Sequence, residues 1–235
     1  MAAAIVIYAA GLSLVAQQGG TSRVAGAGQG GGINGIQSSE AGADFSPKPP
    51  IQPLTPKDEQ ARFILPFGYH LELVLSEPDI ISPGQIAFDG NGRMFVLEIR
   101  GYMQDADASG ELDPVGRISL HEDKDGDGTY ETHHVFVDKL IFPRFVTPLG
   151  KNAILTKESN SDEVWKYTDT NGDGTADKKE LFATGLGRLL NVEHQEAGFV
   201  WGMDNWIYST VNSVRIRWTP NGVTKRGKIS LSTKT

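Results

Sequence analysis

The chain has 235 residues, of which 39% are hydrophobic, and this composition is typical of a packed globular protein rather than a disordered chain. Its 22 basic and 29 acidic residues give a formal net charge of −7 without the basic stripe that nucleic-acid binding requires, so we expect no nucleic-acid partner. Cysteine is absent, which excludes disulfides, thiolate metal ligands, a cysteine nucleophile and a covalently attached c-type haem within these residues.

Residues 1–18 predict a secretory signal peptide or a short membrane anchor. They contain the apolar run AAAIVIYAAGLSLVA, followed by Gln17 and Gln18. The run is shorter than the roughly 20 residues of a membrane span, and the basic segment that usually opens a signal peptide is missing. A cleaved signal, an uncleaved anchor and a mis-assigned start therefore remain open. We expect a periplasmic or extracellular protein that touches the membrane, if at all, only through this segment.

Residues 19–54 predict a disordered linker. They are rich in Gly, Ser, Ala and Gln, with runs such as GQGGGINGI that bury too little apolar surface to offset chain entropy. Prolines between Pro47 and Pro56 then stiffen the approach to the folded part. Thr55 followed by Pro56 predicts the capped start of a short helix over residues 56–63, with Glu59 near the capping-box position.

After Pro66 the sequence changes to short apolar runs with a period of two. The segment GQIAFDGNGRMFVLEIRGY places a DGNG turn between two strand-like runs, which predicts a hairpin. The segments RFVTPLGKNAILTKE and AGFVWGMDNWIYSTV have the same form. Helical periodicity is hard to find here, so we predict an all-β fold.

Two acidic segments, HEDKDGDGTYE and YTDTNGDGTAD, reveal an internal repeat. Their first aspartates, Asp123 and Asp169, are 46 positions apart (169 minus 123), near the length of a propeller blade. A hairpin, a strand, an acidic loop and a strand follow one another twice, over residues 85–140 and 145–186, and a third hairpin begins near Gly198. We predict a partial β-propeller over residues 55–235, with about two and a half blades, which cannot close a ring alone.

Both acidic segments have the pattern of an oxygen-ligand metal loop. Alternate oxygen donors on a tight turn converge on one hard cation, and calcium accepts six to eight such oxygens in flexible geometry. The predicted calcium ligands are Asp123, Asp125, Asp127 and Glu131 in the first loop, and Asp169, Asn171, Asp173 and Asp177 in the second. A pair of Asp-Gly hairpin turns with solvated charge is the alternative.

The second loop also fits the helical EF-hand pattern, because Glu180 occupies the twelfth position. The first loop has His134 there, and the runs beside both loops are short and β-compatible, whereas an EF-hand needs flanking helices. Both loops resemble the calcium-binding hairpin loops of integrin α-type propellers. We therefore expect them to stabilise hairpins rather than to perform chemistry.

The segments LPFGYHLELVLSEP, IAFDGNGRMFVLEIRGY and WGMDNWIYST resemble the N-terminal propeller of the membrane-bound dehydrogenase-like proteins of planctomycete-type bacteria. That group is similar to the soluble quinoprotein glucose and sorbosone dehydrogenases. The resemblance, over about residues 55–217, implies a six-bladed, TolB-like propeller that uses pyrroloquinoline quinone and calcium, and a sugar or alcohol as substrate. It also implies an electron-accepting cytochrome domain as a partner, although this sequence contains no CxxCH motif.

The same resemblance implies three site residues. His194, eight residues before Gly202, matches the catalytic histidine of those quinoproteins and would act as the general base. Glu98, at the end of the run MFVLE, and Arg100, two residues later, would contact the cofactor. The alternatives are a histidine that only hydrogen-bonds a loop and a plain surface ion pair. A non-catalytic calcium-binding propeller for glycan or protein binding is the alternative function.

Overall fold

The computed structural model describes residues 4–7, 52–186, 198–209, 214–219 and 221–228, with backbone alone for residues 4–7 and 223–228. The chain divides into two compact units, Met1–Leu12 with Leu54–Thr235, and Ser13–Pro53. Most of the second unit lies outside the described residues. So do most of the predicted signal segment and the predicted linker, apart from its last three residues.

The first described elements precede the large sheets. They are β1 (Ala4–Ile7), the helix α1 (Pro56–Gln60) and β2 (Leu71–Leu75), and β1 pairs with β2 in parallel. The prediction of a helix capped by Thr55 is confirmed, because the Thr55 hydroxyl accepts a hydrogen bond from the Asp58 N–H at 3.2 Å. The helix ends at Gln60, three residues earlier than predicted. No helix among the described residues has the length and apolar character needed to cross a membrane.

Three four-stranded antiparallel sheets follow, each with its strands adjacent in chain order. The first sheet contains β3 (Pro83–Phe88), β4 (Met94–Glu98), β5 (Gly116–Glu122) and β6 (Thr132–Leu140). The second contains β7 (Thr147–Pro148), β8 (Ala153–Thr156), β9 (Val164–Thr168) and β10 (Lys178–Ala183). The third contains β11 (Phe199–Trp201), β12 (Ile207–Ser209), β13 (Val214–Thr219) and β14 (Gly222–Lys228). Successive four-stranded sheets of this form are propeller blades, so the predicted all-β fold class is confirmed.

The third sheet is more complete than the sequence indicated, because β14 supplies a fourth strand. Its partner β13 alternates buried Val214 and Ile216 with more accessible Arg215 and Arg217. This alternation is the period-two signal of a half-buried strand. This alternation is difficult to recognise in the sequence, because Arg215 and Arg217 make the segment polar on average.

Two clusters of buried apolar residues lie between the faces of successive sheets. The first cluster lies between the first and second sheets and includes Phe95, Leu97, Leu120, Phe136, Val146, Ile154 and Tyr167. The second lies between the second and third sheets and includes Phe145, Leu155, Val164, Phe199, Ile207 and Ile216. Each sheet therefore buries one face against the next sheet, as stacked repeats do.

The opposite face of the first sheet packs against the segment around β2. Met94 and Val96 of β4 form a third buried cluster with Leu75 and Ile80. The predicted DGNG turn joins β3 to this strand, and its Asp89 carboxylate accepts hydrogen bonds from two backbone N–H groups within the turn. The first hairpin is therefore stabilised by its turn and by a buried apolar cluster on each of its two faces.

Candidate calcium loops

Each acidic loop connects the third strand of its sheet to the fourth. The first loop joins β5 to β6, and the second joins β9 to β10. Strands flank both loops, so the choice of a hairpin loop over an EF-hand is correct. Glu180, the residue at the EF-hand position, lies within β10, where it forms ion pairs with Lys166 and Lys178.

The first loop is organised around Asp123. Its carboxylate accepts hydrogen bonds from the backbone N–H groups of Gly126 and Gly128, at 2.6 and 2.9 Å. Both glycines have positive φ angles, 79° and 93°, which glycine adopts at little cost. The Gly128 N–H is the largest of several backbone donors that hold the pKa of Asp123 below its usual value. The carboxylate therefore stays ionised near neutral pH and is available as a cation ligand.

The other predicted ligands of the first loop lie close to Asp123. One candidate ligand atom from each of Asp123, Asp125, Asp127 and Glu131 lies within 4.8 Å of the others. Asp123 is partly buried, and the other three are exposed. Four carboxylates at this separation repel one another in the absence of a cation, and together they match the oxygen ligands that calcium prefers.

The second loop repeats the backbone of the first. Asp169 accepts from the Gly172 and Gly174 N–H groups at 2.6 and 2.9 Å, the same distances as in the first loop. Asp169 is only 2% exposed. The side chains differ, because the Thr170 hydroxyl donates to the Asp177 carboxylate at 2.7 Å, and this hydrogen bond turns the predicted closing ligand toward Thr170.

The predicted ligands of the second loop are therefore less closely grouped. Asn171 also donates its amide N–H to the Asp173 carboxylate at 3.0 Å. Among the described residues, the acidic side chains whose ligand atoms all lie within 4.8 Å of one another are those of the first loop. Calcium in the second loop would require its carboxylates to draw closer together.

The second loop is also tied to the first sheet, which the sequence did not predict. The His134 ring lies against Gly174, and the Phe136 carbonyl accepts from the Ala176 N–H at 2.9 Å. The Arg93 guanidinium donates to the Asn152 side chain at 3.0 Å, and the Asn152 carbonyl in turn accepts from the Asp169 N–H. The contacts between the two sheets join residues about 40 to 60 positions apart, so no local pattern reveals them.

Glu98 and Arg100 contact each other, as the ion-pair alternative predicts, but Glu98 is buried rather than on the surface. The Arg100 Nε lies 3.3 Å from the Glu98 carboxylate, which is 1% exposed and also accepts from the Ile81 N–H. Burial raises the pKa of Glu98, although the Ile81 and Ser119 hydrogen bonds and the Arg100 charge oppose that shift. The Arg100 side chain is 22% exposed, whereas that of Glu98 is buried. The cofactor role of this pair stays a prediction.

Of the remaining histidines, the structure describes His121, His133 and His134 in the first sheet. His194, the predicted general base, lies outside the described residues. His133 and His134 lie on opposite faces of β6, as adjacent strand residues must. The His133 Nδ1 is 2.7 Å from the Nδ1 of fully buried His121, whose Nε2 is 2.9 Å from the Ser119 hydroxyl. Burial, with the nearby His133 and His134 charges, lowers the pKa of His121 to about 4.

The three blades and their acidic hairpin loops place the protein in the class of all-β propellers. The chain belongs to the family described as Domain of unknown function (DUF7133), whose model matches residues 55–233. No curated protein sequence matches the chain significantly.

Solved structures with similar folds include three propeller-like proteins. The PQQ domain of pyranose dehydrogenase from Coprinopsis cinerea has a TM-score of 0.39 and 14% identity, and the match covers 57% of this chain and 28% of that one. Virginiamycin B lyase from Staphylococcus aureus has a TM-score of 0.39, 19% identity and coverages of 67% and 45%. The calcium-binding protein regucalcin from Agrobacterium tumefaciens has a TM-score of 0.37, 11% identity and coverages of 63% and 45%. The chain thus spans less than half of each structure.

Proposed function

We propose that this chain is a calcium-stabilised propeller segment whose two acidic loops bind Ca²⁺ and hold their hairpins together. The observation that carries the proposal is the group formed by Asp123, Asp125, Asp127 and Glu131, with ligand atoms within 4.8 Å of one another. An all-oxygen, flexible donor set suits calcium, whereas magnesium requires a stricter octahedron and zinc favours nitrogen and sulfur ligands.

The two loops are expected to bind calcium with different affinities. The first loop already brings its four carboxylates together, so cation binding relieves their repulsion directly. The carboxylates of the second loop lie further apart, so a cation must first draw them together. We therefore expect one tighter site in the first loop and one weaker site in the second.

The test is calorimetric titration of calcium into the chelator-treated full chain, with the thermal midpoint measured in parallel. Two binding steps with a rise in thermal midpoint are expected. Asp127→Asn should weaken the tighter step, and Asp173→Asn the other. Asp107→Asn, which removes an exposed carboxylate outside both loops, is the matched control and should change neither step. A folded chain that gives no heat and no stabilisation with calcium would contradict the proposal.

We further propose that the segment belongs to an exported quinoprotein-like dehydrogenase that oxidises a sugar or an alcohol and passes electrons to a cytochrome domain. The sequence resemblance over LPFGYHLELVLSEP and WGMDNWIYST supports this proposal. His194 is the proposed general base, because an imidazole can accept a hydroxyl proton near neutral pH. Pyrroloquinoline quinone, when bound, would supply the redox chemistry. We assign no reaction step to Glu98 or Arg100.

Quinone binding and quinone-dependent dye reduction test the dehydrogenase proposal separately from the calcium proposal. The calcium-loaded chain is titrated with pyrroloquinoline quinone and assayed with sugars and alcohols, beside His194→Ala and the exposed control His70→Ala. Loss of dye reduction only in His194→Ala would support the catalytic role. Calcium binding without quinone binding or dye reduction would leave two readings, a non-catalytic propeller that binds a glycan or a protein, and an enzyme segment that needs further blades.

A further inference from the structure

Two histidines of the first sheet bring their ring nitrogens together beside the first acidic loop. His121 of β5 and His133 of β6 are register partners on neighbouring strands, so their side chains share one face of the sheet. Their Nδ1 atoms lie 2.7 Å apart, and their ring centroids are 5.0 Å apart. Among the described residues, the carboxylate group of the loop consists of four acidic side chains and includes neither histidine. The two histidines therefore form a separate pair of metal-ligating side chains.

A buried serine determines which nitrogen of His121 carries the proton. The Ser119 hydroxyl donates to the Val96 carbonyl at 3.5 Å, so it accepts from the His121 Nε2–H at 2.9 Å. In a neutral imidazole the other nitrogen, here Nδ1, then has a lone pair. A hydrogen bond of this kind orients metal-binding histidines in proteins, because it fixes both the tautomer and the direction of the ring. His121 thus presents the lone pair of Nδ1 to His133.

The two rings differ in their freedom to move. His121 is fully buried, whereas His133 is exposed on β6, the edge strand of the sheet. A tetragonal ion bound at roughly 2.0 Å to two adjacent nitrogens holds them about 2.8 Å apart. A tilt of the exposed His133 ring, with loss of the proton that lies between the two nitrogens, would therefore admit an ion without moving His121.

The chemistry of the pair selects a different ion from that of the loop. Imidazole nitrogens suit copper, nickel and zinc, whereas calcium prefers oxygen ligands. Two nitrogens at this separation fit the right-angled geometry of copper(II) or nickel(II) better than the wider tetrahedral angle of zinc. The acidic loop begins at Asp123, two residues after His121, and its carboxylates attract cations to this end of the sheet. We infer that His121 and His133 bind a tetragonal divalent transition-metal ion, Cu²⁺ or Ni²⁺, with water in its remaining positions.

Calorimetric titration of Cu²⁺ into the full chain tests the inference, in saturating calcium and with excess glycine to suppress weak binding elsewhere. One Cu²⁺ should bind per chain. His133→Gln keeps a neutral polar side chain at an exposed position and should weaken this binding at least tenfold. His70→Gln removes an exposed histidine outside the pair and should change the affinity less than threefold. No loss in His133→Gln, or an equal loss in His70→Gln, would overturn the inference.

The calcium dependence of Cu²⁺ binding distinguishes this pair from the carboxylates of the loop. The inference does not require calcium in the loop, so Cu²⁺ should bind in saturating calcium and in calcium-free buffer alike. Displacement of Cu²⁺ by calcium would place the ion in the loop and overturn the inference. The calcium proposal is tested by its own titration and would be unaffected by that result.

Pulsed EPR of the unsubstituted chain makes the test independent of whether a variant folds. With one equivalent of Cu²⁺ in saturating calcium, the signal should contain modulation from two imidazole ligands, because the remote nitrogen of each bound ring couples to the copper electron spin. His133→Gln should reduce this to one imidazole ligand. Modulation from fewer than two imidazoles in the unsubstituted chain would show that the pair does not hold the ion.

Discussion

The ring of His134 lies so close to Gly174 that a Cβ atom added at Gly174 would come within 2.6 Å of it. This contact joins the outer strand of the first sheet to the acidic loop of the second. The equivalent glycine of the first loop, Gly128, has no atom within 4 Å of a Cβ built in the same way. The two loops therefore share a backbone but differ in their surroundings.

Alanine substitution of these two glycines separates backbone strain from the contact with His134. Both residues have positive φ, 93° at Gly128 and 87° at Gly174, so alanine costs roughly 1 kcal/mol of backbone strain in either loop. Gly174→Ala also forces the His134 ring or the loop to move, which adds about 1–3 kcal/mol. Urea unfolding in calcium-free buffer should therefore show a larger loss of stability for Gly174→Ala.

The double variant Gly174→Ala/His134→Ala checks the physical reason. Truncation of the ring makes room for the new methyl group, so the two changes should cost less together than the sum of their separate effects. Equal losses for Gly128→Ala and Gly174→Ala would mean that the first sheet does not restrain the second loop.

Removal of one carboxylate from the first loop should have opposite effects with and without calcium. Without a cation, Asp125→Asn relieves repulsion among the four grouped carboxylates and should raise the thermal midpoint slightly. With saturating calcium, the same change removes a ligand and should lower the midpoint, with calcium affinity reduced about tenfold or more. Thermal unfolding in chelator and in calcium measures both effects. A change of the same sign in both buffers would contradict a cation site in this loop.

The sequence predicted the features that depend on local pattern. The hairpin turn after Phe88, the 46-residue repeat and the converging side chains of the first loop all follow from short segments. The contact of His134 with Gly174 and the burial of Glu98 depend on how separate strands pack, which no single segment encodes. The same limit applies within the second loop, because the ligand pattern does not reveal the hydrogen bond from Thr170 to Asp177.

His121 should make the fold less stable in mild acid. Burial lowers its folded pKa to about 4, whereas an exposed histidine has a pKa of about 6.5. Between these pH values the unfolded chain binds a proton that the folded chain does not, so stability falls as the pH decreases from about 6.5 to about 4. A shift of this size corresponds to about 3 kcal/mol over the whole window. Urea unfolding at closely spaced pH values measures the slope.

His121→Gln provides the comparison, because glutamine is neutral throughout this window. Its stability should depend less on pH than that of the unsubstituted chain, whereas the exposed control His70→Gln should keep the original slope. Glu98 contributes with the opposite sign, since its raised pKa makes stability fall as the pH rises above about 4.5. Both variants retain Glu98, so its contribution cancels in the comparison. Identical slopes for all three proteins would mean that His121 is not buried in its neutral form.

Glu98 itself should tolerate loss of its charge better than loss of its oxygen atoms. Glu98→Gln keeps an acceptor for the Ile81 N–H and removes the cost of burying an ionised carboxylate, at the expense of the contact with Arg100. Because burial is the largest cause of the raised pKa, we expect Glu98→Gln to change stability at pH 8 by less than about 1 kcal/mol. Glu98→Ala leaves the Ile81 N–H and the Arg100 guanidinium without this acceptor and should cost about 1–3 kcal/mol.

Urea unfolding at pH 8, with exposed Glu72→Gln as the control, distinguishes these effects. A loss in Glu98→Gln as large as that in Glu98→Ala would mean that attraction to Arg100 outweighs the cost of burying the charge.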